Sequence, residues 1–90
     1  MNHLDDVTGK AVLSRVSYYH LQDIHGQMDI RVREFLNGPT KGHFIACPYR
    51  VDRGEANFLA GQGSTLDEAL HNCLTKMKRV PLENIFPELL

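Results

Sequence analysis

The sequence predicts an α+β fold, an antiparallel three- to four-stranded meander with one C-terminal amphipathic helix packed on one face. Three observations predict it. Met28, Ile30 and Val32 alternate with Asp29, Arg31 and Arg33, the period-two signature of a strand with one buried face. Leu66, Ala69, Leu70, Cys73, Leu74 and Met77 recur at helical spacing and form one stripe. Clusters of Gly, Pro, Asn and Asp at 37–42 and 52–54 cut the rest of the chain into short runs. The 90 residues are enough for one domain, 1–90, and too few for two. A chain of this length has a single core layer between two elements.

Taken in order, residues 1–9 are polar and read as a loose lead-in ending at Gly9. The sheet is expected over 10–60. Its first strand, 10–21, is rich in β-branched and aromatic residues. Its faces are not sorted: Val12, Val16 and Tyr18 share one parity with Ser14 and His20, while Leu13, Tyr19 and Leu21 share the other with Arg15 and Ser17. A turn follows in which Gly26 is free to take positive φ. The second strand runs from Met28 to Leu36. The third runs from His43 to Val51, with Ile45, Cys47, Tyr49 and Val51 on one face and Phe44 and Ala46 on the other. Pro48 cannot donate to a ladder and belongs at an edge, a bulge or a strand end. Residues 56–60, with Phe58 and Leu59 central, read as a short fourth strand or the far half of an irregular hairpin.

The helix is expected over 65–80. Thr65-Leu66-Asp67-Glu68 fits a capping box. Asp67 and Glu68 suit the positive end of the helix dipole, and Lys76, Lys78 and Arg79 the negative end. Pro81 stops it. Sixteen helical residues would span about 24 Å, enough to cross three or four strands. In the apolar tail, 81–90, Leu82, Ile85 and Phe86 are spaced for one helical turn. The expected core is Met28, Ile30, Val32, Ile45, Phe58, Leu66, Leu70, Cys73, Leu74 and Met77.

The ten Lys and Arg against eleven Asp and Glu give a net charge of -1, which disfavours nucleic acid as the main partner. Cys47 and Cys73 lack the number and spacing of a disulfide framework and read as reduced thiols in a cytoplasm. No leader pattern opens the chain, and no apolar run is long enough for a bilayer, so no membrane role is expected.

The chemistry-bearing residues are sparse. Gly61-x-Gly63 before a helix lacks the third glycine of a dinucleotide fingerprint and the Lys-Ser/Thr of a P-loop, and Asp67 and Glu68 would repel phosphate. These glycines read as letting a strand turn into a helix. The histidines His3, His20, His25, His43 and His71 show no metal-ligand spacing. Cys73 reads as a core residue; Cys47, beside the expected bulge, reads as partly exposed. No catalytic residues, cofactor or metal are expected. Arg31, Arg33 and Phe35 lie on the face opposite Met28, Ile30 and Val32. That face suits a protein interface, a stack of single-stranded bases or plain solvation.

Two resemblances enter at 42–77. Gly42-His43-Phe44-Ile45-Ala46-Cys47-Pro48, followed by Gly61-Gln62-Gly63-Ser64-Thr65-Leu66-Asp67-Glu68-Ala69-Leu70-His71-Asn72, resembles the N-terminal domain of HicB-type antitoxins. The resemblance implies a partner protein of antitoxin type. The same strands and helix resemble a double-stranded-RNA-binding domain. Where that family carries phosphate-gripping lysines, this chain has Leu66, Asp67 and Glu68, so it implies the topology with the sign of the contacts reversed. The expectation is therefore a small non-enzymatic protein-binding module, self-associating as a homodimer or meeting a protein partner. Arg31, Arg33, Phe35, Ile85 and Phe86 are its candidate contact residues, and nucleic acid on the exposed sheet face is the alternative.

Overall fold

The computed structural model describes residues 11–24 and 26–86. Residues 1–10, His25 and 87–90 lie outside them, and with them the whole of the expected lead-in and the end of the tail. Strands β1 (Ser14–Asp23) and β2 (Gly26–Phe35) form a long antiparallel hairpin in register from Asp23↔Gly26 to Ser14↔Phe35. The turn closes on Gly26 at φ 144°, a region that side chains rarely adopt. Strand β3 (Phe44–Arg50) pairs with β2 from Glu34↔Phe44 to Asp29↔Tyr49.

The far side of β3 carries an interrupted partner. Strand β4 (Gly54–Glu55) pairs with Tyr49 and Arg50, and β5 (Gly61–Gly63) pairs with Phe44, Ile45 and Ala46. A 3-10 turn, Asn57–Leu59, stands between them. Pro48 accounts for the interruption. Its backbone faces this side of β3, where its carbonyl accepts from the Ala56 N–H at 2.9 Å and its ring nitrogen has nothing to donate. The expected strand at 56–60 is thus corrected to a turn, and Pro48 sits inside a central strand at the gap. The turn reverses the expected burial of its two large residues: Leu59 is buried, and Phe58 is 62% exposed.

Helix α1 (Leu66–Met77) follows, shorter than the expected 65–80. Thr65 caps it, its hydroxyl accepting from the Glu68 N–H at 3.1 Å. The helix lies over β5 and β3, not across three or four strands. Ala69, Cys73 and Met77 are buried beneath it, with Leu66, Leu70 and Leu74 packed around them. Gly61 and Gly63 make this approach possible. A Cβ on Gly61 would lie 2.2 Å from the Cys73 backbone N and 2.4 Å from the Ala69 O, and one on Gly63 would lie 2.6 Å from the Glu68 Cβ. These glycines, expected where a strand turns into a helix, are themselves the last strand before it, one that the helix backbone nearly touches.

Pairing Ile30↔Pro48 and Val32↔Ala46 fixes the helix-covered face. The core therefore takes Ala46 and Pro48 from β3, and Ile45 lies on the reverse face, half-buried, correcting its expected place. A short helix, α2 (Leu82–Ile85), begins at Pro81 and buries Ile85 in the same core, to 2% exposure. Buried Asn37 ties the start of the chain to the loop after β2. Its Oδ1 accepts from the Leu13 N–H at 2.9 Å, and its Nδ2 donates to the Ala11 carbonyl at 3.1 Å.

Candidate functional site

Register alone assembles a polar and aromatic row on the reverse face. Tyr18, Arg31 and Cys47 lie abreast on β1, β2 and β3, and His20, Asp29, Tyr49 and Glu55 form the next row. The Arg31 guanidinium sits 5.9 Å from the Tyr18 ring centroid and 5.2 Å from that of Tyr49, and the rings are 5.4 Å apart at 57°. Such cation–π contacts contribute about 0.5–1 kcal/mol at open sites and more when water is excluded. Glu55 receives both arginines: Arg33 Nη2 donates to its Oε1 at 2.9 Å, and Arg31 Nε lies 3.5 Å from the same oxygen. The Nε atoms of both arginines are buried without a hydrogen-bond partner.

Cys47 lies under this cluster at 1% exposure, which corrects its expected partial exposure. Burial, reinforced by the charge of Glu55, pushes its thiol up to about 12. Burial likewise raises the Cys73 thiol, to about 11. Neither is a nucleophile at neutral pH. At the exposed edge, His20 Nδ1 and Asp29 Oδ1 are 2.7 Å apart, and the hydrogen bond to Asp29 raises the His20 pKa.

The expected contact residues are placed unequally. Arg31, Arg33 and Phe35 are half-buried on the reverse face, the two arginines already engaged by Glu55. Ile85 is inside the chain's own core, and Phe86 packs partly against that core, so Ile85 presents no surface to a partner. Among the described residues no three His, Cys, Asp or Glu side chains converge as metal ligands. An open groove of about 390 Å³ is lined by Ala60, Gln62, Asn72, Thr75, Lys76 and Arg79, a set without His or Cys.

The two edges of the sheet differ. At β5 and just before it, two outward carbonyls are covered by the helix: Asn72 Nδ2 donates to Gln62 O at 2.7 Å and Lys76 Nζ to Ala60 O at 2.6 Å. On β1 the Leu13 carbonyl accepts from the Leu36 N–H, so odd-numbered residues turn their backbone groups to β2. Ser14, Val16, Tyr18, His20 and Gln22 turn theirs outward, and β1 ends the strand order among the described residues. Large apolar side chains cluster along this edge: Val12, Leu13, Val16, Tyr18, Tyr19 and Ile24 are exposed. The sequence leaves an edge strand as a candidate contact surface without saying which strand; the signal for β1 is the unsorted apolar content of its two faces, which a strand beyond the reach of the helix shows.

No protein family, no curated protein and no solved structure matches the chain. Among the described residues no helix is long and apolar enough to cross a membrane.

Proposed function

We propose that the chain is a protein-binding module that receives an extended partner strand along the outer edge of β1. One observation carries the reading: β1 presents an outward row of backbone donors and acceptors flanked by exposed apolar side chains, while the Ala60 and Gln62 carbonyls on the other side of the sheet are covered. A strand added to such an edge gains affinity from main-chain hydrogen bonds and specificity from alternate side chains. Open edges of this length are otherwise blunted by charge, proline or a bulge. The nucleic-acid alternative has less support, because Arg31 and Arg33 already share Glu55 and the chain carries a net charge of -1.

The test selects random displayed peptides against the immobilised chain and compares Val16→Pro. Val16 turns its N–H outward, so proline there removes a donor that β1–β2 pairing does not use. Peptides with alternating β-branched or aromatic residues are expected, and the substitution should weaken their binding about tenfold or more. Recovery of no binders, or of binders indifferent to Val16→Pro, refutes the reading.

A further inference from the structure

We propose that Asn37–Gly38 is a self-modifying site, held unreacted by the docked segment 11–13, that turns undocking of this segment into a permanent release. Of the five asparagines only Asn37 precedes a glycine. In such a pair the glycine nitrogen can attack the asparagine side chain, because no Cβ hinders it. Gly38 stands open to this reaction: a Cβ placed on it would meet nothing within 4 Å.

The Asn37 side chain holds the site in check. It is 2% exposed, its Oδ1 accepts from the Leu13 N–H at 2.9 Å, and its Nδ2 donates to the Ala11 carbonyl at 3.1 Å. The leaving nitrogen is thus tied to a segment 26 residues earlier in the sequence. The Leu36 N–H holds the same segment through the Leu13 carbonyl, at 2.9 Å. Swinging Cγ onto the Gly38 nitrogen breaks both side-chain bonds, so the reaction waits until residues 11–13 come away. Outlying segments open locally at lower free energy than the sheet they dock on, and this opening arms the site.

Once freed, Asn37 reacts in two steps. The Gly38 nitrogen gives its proton to solvent and bonds to Cγ; the Cγ–Nδ2 bond breaks, and Nδ2 leaves as ammonia after taking up a proton. The cyclic imide then takes up one water. Opening at Cγ leaves aspartate at 37, and opening at the backbone carbonyl leaves isoaspartate, with the main chain running through the former side chain. Both products lack the donor that the Ala11 carbonyl requires, and both bring a negative charge to a buried position, so the segment does not dock again.

The test follows residue 37 of the full chain by peptide mass mapping at pH 8, with Asn57, Asn72 and Asn84 as internal references. In concentrated urea residue 37 should deamidate first, and in the folded chain at least about tenfold more slowly. The folded-state rate should stay flat over the first additions of urea, because undocking of 11–13 exposes little surface, and climb only near the global midpoint. Leu13→Pro deletes the N–H bound to Asn37 and keeps the carbonyl bound to Leu36. It should speed the folded-state reaction about fivefold with an unchanged circular dichroism spectrum. Asn37→Asp, which carries one of the products, should lose amide protection at Leu13 and Leu36 while the β2–β3 amides keep theirs.

A folded chain that deamidates at 37 as fast as the unfolded one overturns the proposal. So does a reaction that occurs only through global unfolding, seen as a rate rising with the full unfolding slope from the first urea. That series needs no variant and decides even where Leu13→Pro fails to fold. A folded Leu13→Pro no faster than the parent, or Asn37→Asp as well protected at Leu13 and Leu36 as the parent, overturns it equally.

Discussion

Replacing Gly61 with alanine tests how closely α1 lies on β5. The added methyl carbon would sit 2.2 Å from the Cys73 backbone N, 2.4 Å from the Ala69 O and 2.8 Å from the Asn72 C. Ordinary contact begins near 3.4 Å. All three obstacles are backbone, so no side-chain rotation relieves them. The helix must retreat by about 1.2 Å, a gap that forfeits a large share of the dispersion contacts across the interface. Overpacking of this kind costs about 1–3 kcal/mol, and the rigidity of the obstacles points to the upper end. In a chain of this size about 3 kcal/mol lowers Tm by roughly 12–24 °C. The sign is as informative as the size. Gly61 is not among the positive-φ glycines, so without the clash alanine would stabilise by about 0.4–1 kcal/mol through the unfolded chain. Thermal unfolding followed by circular dichroism reads the result, with exposed Gln62→Ala as the near-neutral control. A Gly61→Ala variant as stable as the parent, or more so, would refute the close packing of helix on strand.

Asn37→Ala removes two hydrogen bonds to the backbone of Ala11 and Leu13 and should lower stability by about 1–3 kcal/mol, read as a lower urea midpoint with an unchanged slope. The His20–Asp29 hydrogen bond raises the folded pKa of His20 above its ordinary 6.5. Its contribution to stability is therefore fully present below that value and is lost as pH rises through the raised folded pKa. The difference in Tm between the parent and Asp29→Asn should shrink over that window, and the His20 ring protons should titrate at lower pH in the variant. Cys47 and Cys73, with thiols pushed up to about 12 and about 11, should both resist an aromatic disulfide reagent at pH 8 in the folded chain and react together on unfolding in urea. Prompt labelling of the native chain would refute the burial of either.

Local chemistry was legible wherever it is also decisive. The Thr65 cap, the stripe through Ala69, Cys73 and Met77 and the alternation of Met28, Ile30 and Val32 each stand within a few residues of one another, and the structure keeps all of them. The parity of β3 was equally legible, but which parity faces the helix was not. That depends on Val32 pairing with Ala46, a contact fixed by sheet register. Ile45 was therefore assigned to the wrong face. Phe58 was misplaced because the gap opposite Pro48 is filled by a 3-10 turn, whose period differs from that of a strand. The engagement of Arg31 and Arg33 was hidden because Glu55 reaches them from β4, more than twenty residues along the chain. The contrast between the two sheet edges was hidden for the same reason: Asn72 and Lys76 read as polar positions on a helix until β5 is set beside them.

The side chains of Asn72 and Lys76 also bear on how far any assembly of this chain can extend. Each occupies a carbonyl that a further strand would need. At that stretch of the rim, from Ala60 to Gln62, the helix thus does the work that a charge or a proline does on other open edges, and it does so with side chains that also anchor it to the sheet.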